Sequence, residues 1–526
     1  MSIMRVKPPD KRDLLYALVV AAVGLAVYGR VLAPDVLYSD SGEFQTLAYT
    51  WATTHTTGYP VYLLLARIVS LLPVETLAWR VNFASAVFAA VTLGGVFLIA
   101  RYFTGRGGAL LSSLILLLSY TFWSQSIIAE VYTLATALIV IVLLMLLRWH
   151  EQPLKRRWLV FAAGFLLGVG LGAHLFVLLI APPAFVFVLW SVRRDGWQPA
   201  ARLIAGGVVG AACFFGLFAF MDTRPTPTNI FTTTIIPSRE VWGLQDSDLD
   251  SVPERFWISV SGYQWRSRML PSDVDYGETL KSFVEVDLAR EFALPAVLLA
   301  LVGILAALLT SRRLFALLGG GLLIAFAAGF LYFPGDKFIF YLPFYLLLAI
   351  FSGIGAGTLT SLVVERLPTP NHLSAIAITA LLIAVCAAPF AGSRWRAIQR
   401  GQSGFIREEY VYPVAQPSQP RAAAECALSM VTEEDALLVL DWRALYSIYY
   451  IAHVEQNRTG IIIYEAQPYP AQMVAPSLRA EITERLQNGQ AIYVDNPYQP
   501  LTTLYDFAPV RGSCFQYRLF RLSLPG

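Results

Sequence analysis

Charge is what this chain has least of. Only 14% of its 526 residues are Asp, Glu, Lys or Arg, while 56% are hydrophobic and the mean hydropathy is +0.57. A soluble globular chain carries about 25% charge, so a soluble enzyme is excluded and a polytopic membrane protein is predicted. The net charge of +3 is too small to argue for nucleic acid. No P-loop and no dinucleotide fingerprint occurs, so no familiar nucleotide cradle is available. Cysteine is scarce, with four residues. Cys213 and Cys386 fall within apolar runs and read as small apolar residues. Cys426 and Cys514 fall in a polar tail, where a disulfide and two separate thiols both stay open. The first apolar run lacks a small-residue cleavage site. With Lys7, Lys11 and Arg12 before it, it reads as a signal anchor.

What is present in abundance is long hydrophobic runs. They fall at about 14–32, 83–100, 109–127, 131–147, 158–173, 175–191, 203–221, 291–310, 314–333, 338–358 and 373–391. Most are long enough for ~30 Å of hydrocarbon at ~1.5 Å per residue. The expectation is about eleven transmembrane helices. The region 158–191 is ambiguous between two tight helices and one broken pair, with Pro182 and Pro183 predicted to kink it. With the N-terminus placed inside, the short inner loops hold Arg101 and Arg106; Arg148, Lys155, Arg156 and Arg157; Arg193, Arg194 and Arg202; Arg312 and Arg313; and Arg366. The short outer loops are nearly bare of positive charge. This alternation predicts a cytoplasmic N-terminus and a C-terminal segment outside an integral, plasma-membrane-type protein.

Residues 1–393 then form a transmembrane module with outer loops at 34–82 and 222–289, and residues 394–526 form an outer domain. Within the first loop, Val61–Leu72 is too short to span and is expected along the membrane surface. In the tail, Ala436–Asp441, Gly460–Tyr464, Ala491–Asp495 and Phe515–Phe520 read as strands, with helical patterns at 444–454 and 474–487. A small α/β domain follows from that alternation.

Polar residues from distant segments fall in outer loops or turns under this topology: Asp40, Glu43 and His55, then Glu130, His174, Asp336 and Lys337. Ionisable groups near hydrocarbon are expensive. Their convergence on one face suggests a site on a helical scaffold, whereas any one alone is an ordinary loop residue. Asp246-Ser-Asp248-Leu-Asp250 fails as a calcium loop, because position six is Ser251 and position twelve is Trp257. No metal ligand set is expected and no cofactor is called for, although a divalent metal stays open. Asn457-Arg458-Thr459 matches only a short glycosylation pattern. Trp242, Trp257, Tyr263 and Trp265 suit either sugar stacking or interfacial anchoring, with anchoring favoured.

Tyr38-Ser-Asp40-Ser-Gly42-Glu43-Phe44, followed by His55-Thr-Thr-Gly58-Tyr59-Pro60, resembles the signature of the protein O-mannosyltransferase-like membrane glycosyltransferases, a GT-C family. Arg80-Val-Asn82-Phe-Ala-Ser85, Ala129-Glu130-Val131-Tyr132, Gly172-Ala-His174 and Phe340-Tyr341-Leu342-Pro343 extend the resemblance over most of 30–360. The chain departs from it at Thr56-Thr57, where the family usually has two prolines. The resemblance implies an inverting transfer of a sugar, a hexose such as mannose, from a polyprenyl-phosphate donor to a protein or glycolipid hydroxyl outside the cytoplasm. It implies Asp40 as the base. Glu43 would share its helical face and orient the acceptor, act as base, or pair with the helix dipole. For donor, acceptor or phosphate contacts the candidates are His55, Tyr59, Arg80, Glu130, His174 and Lys337. For His55 a packed turn histidine is the other reading, for Lys337 a snorkelling lysine, and for Arg80 an interhelical cap. A transporter or flippase is the rival, but such proteins tend to carry mid-depth charge and internal repeats, and neither is visible. A non-catalytic scaffold is a third reading, against which the intact acid pair argues.

Overall fold

The computed structural model describes residues 7–191, 196–369, 371–401, 418–469, 471–512 and 515–526. The chain divides into two compact units. The first comprises Met1–Leu32, Ser85–Phe214 and Arg268–Phe405; the second comprises Ala33–Ala84, Phe215–Ser267 and Ile406–Gly526. Loops 34–82 and 222–289 had been grouped with the transmembrane module. Most of their residues instead share a unit with the tail.

Each of the eleven apolar runs is helical. By length and composition seven helices qualify as membrane spans: Lys11–Val31, Leu77–Arg101, Tyr132–Glu151, Gln198–Asp222, Arg312–Leu331, Lys337–Val364 and His372–Arg400. Two bent pairs, Arg106–Leu118 with Tyr120–Ser126 and Tyr276–Glu291 with Leu294–Thr310, raise the number to nine among the described residues. The eleven runs therefore supply seven to nine spans by this measure. Arg157–Gly172 and Leu175–Ser191 are shorter. The helix Arg157–Val169 tightens into a 3-10 turn at Gly170–Gly172, and His174 is extended before a second 3-10 stretch, Leu175–Ile180. Pro182 and Pro183 stand at the second and third residues of the helix Ala181–Ser191. Near a helix start a missing N–H costs little, so these prolines open an α-helix instead of kinking one.

In the first unit, small residues let helices touch. A Cβ added at Gly303 would lie 1.9 Å from the Phe351 carbonyl oxygen, and one at Gly355 1.8 Å from that of Leu299. Only glycine fits this close backbone approach. The 67° bend at Ser119 leaves the first amides of Tyr120–Ser126 without helical acceptors. Buried Glu291 accepts from the Thr121 amide at 3.0 Å, from the Ser119 hydroxyl at 2.6 Å and from the Thr121 hydroxyl. At one end of this unit, Asp13 binds Arg101 at 2.9 Å and Arg106 at 2.8 Å, and Glu151 binds Arg156 at 2.6 Å. Arg148 also reaches the Pro9 carbonyl at 3.4 Å. Two of the basic segments read as inner loops are thus tied by acids and by the N-terminal segment.

The second unit contains the sheet. Its strands are β1 (Leu437–Leu440), β2 (Ile462–Glu465), β3 (Ile492–Val494), β4 (Asp506–Pro509) and β5 (Phe520–Ser523), in the order β2-β1-β3-β5-β4. β1 pairs parallel with β2 and β3, with Leu437 opposite Ile462 and Ile492. β5 pairs antiparallel with β3 and β4. Helices Trp442–Tyr449 and Pro476–Gln487 lie in the two crossovers. β1 reads Leu-Leu-Val-Leu and is buried throughout, as a central strand of a parallel sheet should be. The strand expected at 515–520 sits later, at 520–523, and the edge strand 506–509 carries only Phe507 against the core, too short an apolar pattern to read from the sequence. Cys426 is in a disulfide and Cys213 and Cys386 are free. Cys514 lies outside the described residues. The expected surface piece is the helix Pro60–Val69, which buries Tyr62, Leu63 and Ala66.

Candidate active site

The segment after the first span becomes helical at Ser39–Thr50. Asp40 stands in its first turn, where the helix dipole favours a negative charge. Glu43 follows at the three-residue spacing that places both acids on one side. Gly42 between them is required: a Cβ there would lie 2.5 Å from the Leu37 carbonyl oxygen. The turn at 55–58 closes by a 2.7 Å bond from the Gly58 amide to the His55 carbonyl. Gly58 has φ +86°, a conformation glycine adopts without strain.

This turn presents His55 to both acids. Its backbone amide donates to Glu43 Oε1 at 2.8 Å, and its Nδ1 lies 2.5 Å from Glu43 Oε2. The opposite ring nitrogen, Nε2, lies 3.8 Å from Asp40 Oδ2. Glu43 is wholly buried, whereas 24% of the Asp40 side chain is exposed. Burial pushes the Glu43 carboxyl above its ordinary range; His55 pulls it back and Asp40 adds to the upward push. Tyr59 packs its ring on His55 at 5.2 Å and on Phe44 at 5.8 Å. A small hollow, open at its mouth, is lined by Thr54, His55, Thr56, Phe231, Trp242 and Tyr263 among others. Trp242 and Tyr263 therefore line this hollow. Trp265 meets the Tyr469 ring at 5.1 Å, tilted by 40°, and Trp257 is exposed.

A residue with no sequence signal completes this cluster. Trp442, at the first position of its helix, donates its indole Nε1–H to Asp40 Oδ1 at 2.9 Å and meets the His55 ring edge-on at 6.0 Å. Asp246 pairs with Arg239 at 2.6 Å, and Asp248 caps the Gln245 amide at 2.8 Å. The Asp-x-Asp stretch is thus used locally.

The other expected contacts fall into separate surroundings. Arg80 donates to the Ser70 and Leu72 carbonyls at 2.7 and 2.8 Å, and so staples the end of its own loop. Asn82, two residues on, accepts from Gln45 at 2.7 Å and donates to the Ala33 carbonyl at 3.0 Å, bracing the acid helix. In the first unit, His174 accepts the Phe176 amide on Nδ1 at 3.1 Å, which makes it a helix cap. Its ring joins Tyr132 at 5.1 Å and Phe340 at 6.0 Å. Three segments of the motif resemblance therefore meet in one aromatic cluster. Glu130 is buried, and its backbone amide donates to the Ser85 hydroxyl at 3.1 Å. Lys337 donates to the Phe330 carbonyl at 2.8 Å and lies 3.1 Å from the Phe333 ring centroid. Asp287, from a different segment, also acts on it electrostatically.

Many apolar helices with a small mixed sheet make this an α-helical integral membrane protein. Residues 40–197 match the family described as the Protein O-mannosyl-transferase TMEM260 N-terminal domain, and the match begins at Asp40 itself. Over 128 residues the chain is 31% identical to the mouse (Mus musculus) Protein O-mannosyl-transferase TMEM260. That alignment covers 24% of this chain and 18% of the relative, so the chain spans less than a fifth of the relative's length. Both bear out the resemblance carried by the Asp40 and His55 segments. Among solved structures, ArnT from Cupriavidus metallidurans bound to undecaprenyl phosphate is similar at TM-score 0.58 and 16% identity, over 97% of this chain and 99% of that one. The Archaeoglobus fulgidus oligosaccharyltransferase is similar at 0.52 and 14%, over 97% and 73%. The mycobacterial arabinofuranosyltransferase AftD is similar at 0.52 and 13%, over 99% and 40%.

Proposed function

We propose that this protein is an inverting glycosyltransferase. It moves a sugar, a hexose such as mannose, from a polyprenyl-phosphate donor to a hydroxyl of a protein or glycolipid on the outer membrane face. Support comes from the O-mannosyl-transferase match over residues 40–197 and from a similar structure whose ligand is undecaprenyl phosphate. One observation carries the assignment of roles: of two neighbouring acids, one is open and the other shut. A general base must reach the proton it takes. Asp40 is partly exposed and Glu43 is not, so Asp40 is the base.

Asp40 takes the acceptor hydroxyl proton as that oxygen bonds to the sugar's anomeric carbon. The bond from that carbon to the carrier phosphate breaks, and the phosphate leaves with the electron pair. Glu43 fixes His55 through Nδ1, which leaves Nε2 directed toward Asp40. Charge-assisted hydrogen bonds of this kind are the strong ones. The wall of Trp242 and Tyr263 beside His55 suits a sugar face.

Replacing Asp40 by Asn tests the reading. With a polyprenyl-phosphate-linked mannose as donor and mass spectrometry of glycosylated products, the variant should fall by about 10²–10⁴-fold, the range a positioned base supplies. An unchanged rate in a normally inserted variant overturns it.

A further inference from the structure

The acid helix is gripped from one side by a segment about four hundred residues away in sequence. Tyr38, just before the helix, lies under the Arg443 guanidinium at 4.9 Å. Thr46 donates to the Tyr446 carbonyl at 3.0 Å. Between these contacts Trp442 donates to Asp40 Oδ1 at 2.9 Å. The two segments are in contact at Gly42, where a Cβ would lie 3.4 Å from the Ser447 amide nitrogen, an ordinary van der Waals distance. Trp442 itself is fixed: it opens the helix Trp442–Tyr449, Asp441 caps that helix by accepting the Arg443 amide at 2.9 Å, and Tyr446 packs edge-on to the Trp442 ring at 5.4 Å.

Resting on the base role given to Asp40 above, we infer that Trp442 is a positioning residue for that base, supplied by the C-terminal α/β segment. Asp40 has two oxygens. The indole holds Oδ1 and so fixes the rotation of the carboxylate, leaving Oδ2 on the side of His55 Nε2. An indole N–H only donates. It therefore occupies a lone pair of Oδ1 and holds the carboxylate in one orientation. The groups facing this carboxylate are His55 and, behind it, Glu43; Arg443 stands one residue along on Tyr38. The tail thus contributes to the chemistry of a loop near the other end of the chain.

Two measurements test this. The first needs no activity: ultraviolet resonance Raman of purified full-length protein, using the indole N–H hydrogen-bond marker. The wild type minus Asp40→Asn difference should show one strongly bonded indole weakened, and the same feature should vanish in Trp442→Phe. A Trp442→Phe spectrum that keeps the feature overturns the inference. The second is kinetic, with polyprenyl-phosphate mannose as donor. Trp442→Phe keeps an aromatic ring and loses the N–H. It should lower kcat about tenfold with KM little changed. Trp442→Phe with wild-type kcat overturns the inference, whereas an active Asp40→Asn overturns the functional reading beneath it. A variant that misfolds would lose its thermal transition, so kinetics are compared only at matched melting temperature. Should Phe fail that check, Trp442→His, which retains a ring N–H, must restore kcat relative to Trp442→Leu; equal rates overturn the proposal.

Discussion

Single residues in this protein owe their chemistry to burial more than to identity. Asp40 and Glu43 are both carboxylates on one short helix, yet only Asp40 is partly exposed. Glu465 makes the same point away from the site. It ends β2, is 4% exposed and accepts from Thr234 at 2.9 Å. Burial raises its carboxyl from an ordinary 4.5 to about 8. A folded value above the unfolded one means that the folded state binds more protons, so stability is full below the unfolded value and declines as pH rises through the folded one. The window runs from about pH 4.5 to 8. Glu465→Gln should flatten that decline, and at pH 8 it should melt higher than the wild type, by about 2–4 °C per kcal/mol recovered. Melting curves for the two proteins that stay parallel across the window would refute this. Residue types and spacing made Asp40, Glu43 and His55 legible in the sequence. Arg80, His174 and Lys337 looked equally eligible, but the carbonyls and amides they satisfy are invisible until the backbone is folded.

At the scale of elements, the hydrophobic runs were legible because hydrocarbon demands long apolar helices, and that demand is written residue by residue. The breaks within them were less so. The bend at Ser119 depends on a partner elsewhere, Glu291, which supplies an acceptor to the buried Thr121 amide, whereas the turn at Gly170–His174 is closed by local bonds such as the His174 cap. The acid helix is equally dependent. Gly42→Ala would drive a methyl to 2.5 Å from the Leu37 carbonyl. Overpacking of this kind costs about 1–3 kcal/mol, and transfer activity should fall with the melting temperature. An alanine variant as stable and active as the wild type would show that the helix start has room to move.

For the whole molecule the open question is which way it faces. Basic segments around Arg101, Arg106, Arg148 and Arg156 gather with the N-terminal stretch at one end of the first unit, as the positive-inside pattern expects. In a background with Cys213 replaced by alanine, Leu154→Cys and Met473→Cys introduce exposed thiols, at sites 66% and 51% accessible. A membrane-impermeant maleimide should label Met473→Cys in intact cells and Leu154→Cys only after lysis. The reverse pattern would invert the topology and place the Asp40 site on the wrong side for a lipid-delivered donor.

The sequence by itself determined that this is a helical membrane protein, where its spans lie, and which acid–histidine segment to suspect. Each of those follows from local composition and short spacing. Only the tertiary structure decided which acid is exposed, that Trp442 holds it, and that loops 34–82 and 222–289 largely join the tail in one unit. Those outcomes depend on contacts between residues hundreds of positions apart, and no local pattern in a chain records which distant backbone will come to lie beside it.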